Sequence, residues 1–137
     1  MNLLSLNVNG LGSGEFKSDW ICKLVQTHCI AFLGIQETKR KDITEIMARR
    51  IWGSQNFDYA FCNSEGNSSG IMCVWNRDMF SKESCMYRKD CLIIQGTWSE
   101  NSRKICFINV YAGQTLQKKW SSGTLLPLAW QPGTGGL

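Results

Sequence analysis

Two short apolar runs with one amphipathic stripe between them constrain this chain more than any other feature. Residues 3–8 read as a strand, and Asn9-Gly10-Leu11-Gly12-Ser13-Gly14 follows as a glycine-rich loop. Phe16, Trp20, Ile21, Leu24 and Val25 then recur at the spacing of one helical face, with Lys17, Asp19, Lys23 and Gln26 on the opposite side. Residues 30–35 are apolar and too short for a helix, the pattern of a strand buried on both faces. Strand, helix and buried strand make a βαβ unit, whose crossover is almost always right-handed and whose strands are parallel. The expected fold class is therefore α/β.

A second helix is expected over 43–52. Asp42 and Glu45 have capping-box spacing, and Ile43, Ile46, Met47 and Ile51 form its apolar stripe. After Gly53 the pattern changes to short strands at 57–62, 71–75, 83–88, 91–98 and 104–111, separated by turns rich in Asn, Ser and Gly. The last of these is apolar on both faces and should be central. Residues 116–137 do not continue the pattern: Pro127 interrupts an apolar run, and 131–136 have loop composition. We expect one partial domain over 1–115 and a divergent tail over 116–137.

At 137 residues, 43% apolar and 19% charged, the chain has the composition of a single-core globular domain. That composition excludes a disordered tail, a collagen-like repeat and a coiled coil. No apolar run reaches the roughly 18 residues of a membrane helix. The first residues lack the basic region of a signal peptide, so we expect an intracellular protein, nuclear or cytoplasmic, and not a secreted one. Fifteen basic against eleven acidic residues leave +4, a mild lean towards polyanions that decides nothing alone. Seven cysteines without a C-x-x-C pair, and a single histidine, His28, cannot assemble the usual structural zinc patterns. They read as free, reduced core residues, and His28 as a cap at a helix C-terminus.

In a parallel βαβ unit the carboxyl ends of the two strands lie side by side, where open α/β sheets place their ligands. Asn7 ends the first strand and Glu37 the second, with Gln36 and Asn9 close by. One carboxylate among neutral oxygen donors suits magnesium, which takes one or two protein carboxylates and keeps water or phosphate oxygens for the rest. Lys39, Arg40 and Lys41 would add positive charge. Each has a plainer reading: Asn7 as a turn entry, Glu37 as a solvated loop carboxylate, and 39–41 as a solvated helix start. The glycine-rich loop invites a phosphate-cradle reading but matches neither G-x-G-x-x-G nor a Walker loop. Spacing alone leaves a metal edge and no mechanism.

Leu6-Asn7-Val8-Asn9-Gly10-Leu11, Leu33-Gly34-Ile35-Gln36-Glu37-Thr38-Lys39 and Ile108-Asn109-Val110-Tyr111-Ala112 resemble, in order, the first three signature blocks of the endonuclease/exonuclease/phosphatase superfamily. Gly70-Ile71-Met72-Cys73-Val74-Trp75 resembles the glycine-initiated strand between the second and third. Within the superfamily the chain is most similar to the N-terminal endonuclease of plant LINE-type (non-LTR) retrotransposons, on Phe32 to Lys39 and on Gln95-Gly96-Thr97-Trp98. The resemblance implies a four-layer α/β sandwich, present here as its N-terminal half. It also implies hydrolysis of a phosphodiester dependent on Mg²⁺, with Mn²⁺ as the alternative ion. By motif, Glu37 would bind the metal and Asn7 would orient the catalytic constellation. Tyr111 would contact the phosphate or an active-site carboxylate. Asn9, standing where many members have aspartate, and Lys39 would contact substrate. The implied partner is DNA, with RNA as the alternative; neither a membrane nor a stable protein partner is implied.

The departures shape the expectation as much as the matches. Gly113 stands where the family usually has proline. Nothing after Leu116 resembles the Gly-Asp-x-Asn block or the Ser-Asp-His block that supplies the general base. The expected function is therefore a fragment of a DNA-nicking endonuclease, inactive in isolation. The alternatives are a non-catalytic remnant that binds nucleic acid and a superfamily phosphatase. Buried strands without their partners should expose edges and apolar faces, making the isolated chain poorly soluble.

Overall fold

A computed structural model describes residues 2–111, apart from 13, 15, 67, 68 and 89, together with the backbone of 130–133. The chain opens as β1 (Asn2–Asn7), α1 (Phe16–Thr27) and β2 (Ile30–Gln36), with β1 and β2 parallel. This is the βαβ unit expected from the apolar spacing. Next come α2 (Glu45–Trp52), β3 (Phe57–Cys62) and β4 (Ile71–Asn76), and the first sheet has the order β1-β2-β4-β3 with β4 antiparallel to both neighbours. The second sheet, fully antiparallel, is formed by β5 (Phe80–Arg88), β6 (Cys91–Trp98), β7 (Arg103–Val110) and β8 (Trp130–Gly133), in that order.

Two cores explain why β2 and β4 read as unbroken apolar runs. Leu33, Ile35, Met72 and Val74 face the helices and meet Ile21, Val25 and Ile51. Phe32 and Trp75 face the second sheet and meet Phe80, Leu92, Ile94 and Phe107. A strand in the middle of three layers must be apolar on both faces, because neither face meets water. The rings interlock: Phe32 stacks on Phe107 at 3.7 Å, and Phe80 stands edge-on to Phe32, Trp75 and Phe107 at 5.7, 5.7 and 5.2 Å. The described residues supply three layers, helices over sheet over sheet, a partial α/β sandwich. Between β6 and β8, β7 is internal to its sheet, as its apolar pattern requires.

Several local expectations are corrected. In α1 the buried positions are Ser18, Ile21 and Val25, while Phe16 and Trp20 are 84% and 48% exposed. The buried stripe runs i, i+3, i+7, so the two aromatics fall outside it. Thr44, not Asp42, caps α2: its hydroxyl accepts from the Met47 amide at 3.3 Å. Asp42 is occupied by Arg40, whose guanidinium donates to both carboxylate oxygens at 3.0 and 3.1 Å. Ile46 is 76% exposed, and Ala48 takes its place in the stripe. Residues 130–133, loop-like in composition, pair with 104–107 as β8. The edge of a sheet is where a strand tolerates a proline such as Pro132.

All seven cysteines are free, but only Cys73 and Cys106 are buried, and Cys29 is exposed. Burial pushes the Cys73 thiol up to about 12. Among the described residues no helix is long and apolar enough to cross a membrane.

Candidate functional site

The parallel register of β1 and β2 sets Asn7 opposite Gln36. The ladder continues past both strands: the amides of Val8, Gly10 and Leu11 donate to the carbonyls of Gln36, Glu37 and Thr38 at 3.1, 2.7 and 2.9 Å. On the other side, Thr38 and Lys39 donate to Gly70 and Ser69 at 3.0 and 2.8 Å. Residues 37–39 thus run as a strip between two loops. Gly70 is required there: it has φ +84°, and a Cβ would collide with the hydroxyl of buried Thr38 and lie 3.1 Å from the Ser64 amide.

This strip stores strain. Asn9, Glu37 and Lys39 have φ of 48°, 56° and 52°. A non-glycine residue held there costs about 1–3 kcal/mol, least for asparagine. Asp90, at φ 54°, joins the same edge: its carboxylate accepts from the Ser69 amide at 3.1 Å, and its carbonyl accepts from the Tyr111 amide at 2.9 Å.

The structure brings the candidate residues together. Asn7 accepts the Asn9 amide at 3.1 Å, serving as the turn entry of its plainer reading. Asn9 in turn accepts from the Lys39 ammonium at 2.6 Å. Across the gap between the sheets, Tyr111 reaches the same edge through Asp90 and Ser69, whose carbonyl accepts from the Lys39 amide. The Glu37 carboxylate raises the phenol's pKa above its ordinary value; burial adds to the rise, and Ser69 opposes it. Second and third motif therefore meet. The amides of Asn9, Gly10 and Leu11 are all spent on the chain itself, so this stretch is not a phosphate cradle. Arg40 is committed to Asp42 and to the Gly12 carbonyl, at 2.9 Å for the latter, so Lys39 and Lys41 are the exposed cations of the basic strip. His28 lies in the turn before β2, at the opposite end of that strand from Glu37.

Two residues that the sequence reading did not single out organise this edge. Asn109 is buried between the sheets, donating to the carbonyls of Ile35 and Met72 at 3.2 and 3.0 Å and accepting from Gln36 at 2.6 Å. It packs over Gly34, where a Cβ would stand 3.4 Å from the Asn109 carboxamide, in van der Waals contact. The signal was one polar residue in the otherwise apolar run 105–110. The other is Lys17, placed by spacing on the solvent side of α1 but turned in the structure towards the loop after β1.

Glu37 is a hard oxygen donor beside the end of β1, where the amide oxygens of Asn7 and Asn9 already accept from the Asn9 amide and the Lys39 ammonium. Among the described residues no three His, Cys, Asp or Glu side chains gather as a metal cluster. Such a donor suits an ion that draws most of its ligands from water and phosphate rather than from protein.

No protein-family model matches the sequence, and no curated protein matches it. Solved structures do. An AP endonuclease from Leishmania major superimposes with a TM-score of 0.55 at 18% identity, over 83% of this chain and 41% of that one. TDP2 from C. elegans superimposes with a TM-score of 0.56 at 13% identity, over 88% of this chain and 39% of that one. Both have the endonuclease/exonuclease/phosphatase fold, and the architecture described above is part of that fold. The chain spans about two fifths of the length of each.

Proposed function

We propose that the chain is part of a Mg²⁺-dependent phosphodiesterase acting on DNA, of the kind found in LINE-type retrotransposons, and that by itself it binds metal and nucleic acid without cleaving. The observation that carries this reading is the meeting of two motifs at one strained edge: the Tyr111 amide donates to Asp90, whose carboxylate accepts from Ser69, and the Ser69 carbonyl accepts from Lys39 beside Glu37. A nucleic-acid phosphodiester as substrate is supported by the neighbour named as an AP endonuclease. The portion that carries the reading is 1–115, with 116–137 outside it, and an intracellular, nuclear or cytoplasmic location follows from it.

In this reading Glu37 would hold Mg²⁺, or Mn²⁺ in its place. When bound, the ion offsets charge on phosphate oxygens and lowers the pKa of a water. Tyr111 stays a neutral phenol beside the Glu37 carboxylate, which keeps its lone pairs for a cation. Asn7 fixes the turn that carries Asn9, and Asn9 holds the Lys39 ammonium at the edge, where it attracts phosphate. RNA presents the same phosphate chemistry and is the alternative substrate.

The position of His28 favours a second reading, a nucleic-acid binder with no catalytic history left in this chain. A base must come within hydrogen-bond reach of the attacking water, and this histidine lies a whole strand away from Glu37. One experiment separates the readings: Mn²⁺ broadening of amide resonances, alongside nicking of supercoiled plasmid in Mg²⁺, for the chain and its Glu37→Ala variant. We expect Mn²⁺ to broaden resonances around 37–39 in the chain only, with no nicking by either. Broadening indifferent to Glu37→Ala would leave the second reading. Nicking that depends on Glu37 would show that the chain carries its own base.

A further inference from the structure

Lys17 occupies an unfavourable place unless its ammonium has a partner. It stands in the first turn of α1, at the positive end of the helix dipole, where a cation is disfavoured. Its Nζ donates to the carbonyls of Val8, Asn9 and Gly10 at 2.7, 3.3 and 2.6 Å. Successive carbonyls in a strand point to alternate sides and cannot face one point. They do so here because Asn9 and Gly10 both take left-handed backbone, with φ of 48° and 88°. An ammonium has three donors and no acceptor, so the three oxygens fill its capacity.

We propose that Lys17 is a positioning residue, a tethered cation that locks the loop after β1 against the strip carrying Glu37. The same turn that presents its carbonyls to Lys17 presents the amides of Gly10 and Leu11 to residues 37 and 38, and the Asn9 carboxamide to Lys39. One side of the loop faces the ammonium and the other faces the site. The oxygen triad recognises any compact cation, so removing the side chain leaves a nest for a free monovalent cation such as ammonium or potassium. The proposal deepens the metal-edge reading, but its test needs neither metal nor cleavage.

The test is amide hydrogen exchange in Lys17→Ala. We expect exchange at Gly10 and Leu11 to accelerate about tenfold or more, while Val74 and Ile94, deep in β4 and β6, keep their protection. Added ammonium should slow Gly10 and Leu11 again; tetramethylammonium, with the same charge and no N–H, should not. Unchanged exchange at Gly10 and Leu11, equal acceleration at Val74 and Ile94, or exchange that stays fast in ammonium would each overturn the proposal. Competitive acetylation of the unaltered chain gives a second check that needs no variant. Lys17 should react about tenfold more slowly than exposed Lys23 on the same helix, and equal rates would overturn the assignment. Loss of nicking or of metal binding elsewhere would bear on the function proposed above and leave this latch untouched.

Discussion

At Asn109 one carboxamide donates to two carbonyls of the first sheet and accepts a hydrogen bond from Gln36, all while buried. Asn109→Ala removes the carboxamide's bonds to Ile35, Met72 and Gln36 from the interior between the sheets, and we expect a loss of about 1–3 kcal/mol, read as a lower urea midpoint. Tyr111 makes a prediction about pH. Its phenol is raised by the neighbouring Glu37 carboxylate, which favours the neutral form, and by burial. A folded-state pKa above the unfolded one contributes stability that is present below the ordinary phenol range and is lost as pH rises through the folded value. Absorbance titration of Tyr111 in metal-free protein should therefore run above an ordinary tyrosine, and Glu37→Gln should bring it down. An unchanged titration in that variant would refute the assignment of the rise to Glu37. Residues of this kind were only half legible in the sequence. Glu37 and Tyr111 stood out through their motifs, whereas Lys17 was hidden, because helical spacing reports the face a residue leaves and not the loop its long side chain reaches.

Elements were read more securely than their ends. The βαβ unit followed from two short apolar runs on either side of a stripe of period 3.6, and the unbroken run of β2 announced a strand with no wet face. Caps depend on which of several polar side chains wins a local competition, and spacing cannot decide it. Asp42 had the right offset from Glu45, yet a guanidinium two residues away claimed it. We expect Thr44→Ala to cost about 1 kcal/mol by thermal or urea unfolding, and Asp42→Ala much less, since its pair with Arg40 is exposed. Equal costs would return the cap to Asp42. β5 likewise starts three residues before the strand expected at 83–88: Phe80 enters the core between the sheets before the exposed residues of the strand begin.

For the molecule as a whole, the described layers leave surface uncovered. Among the described residues β1 pairs on one side only, with Leu3 half-exposed along it, and Met86 is half-exposed on β5. Open edges with apolar side chains pair with other chains. Sedimentation velocity should show association rising with concentration, and Leu3→Lys should reduce it; a monomer throughout the micromolar range would contradict this. The order of the elements along the chain has a different consequence, one in time. Both helices and the whole first sheet, with the ladder that shapes residues 37–39, lie within residues 2–76. Synthesis runs from the N-terminus and delivers those residues first. The carboxylate of Glu37 can then stand in its strained place while the ribosome is still making β7, and Tyr111 arrives afterwards, as a latecomer to a seat already prepared.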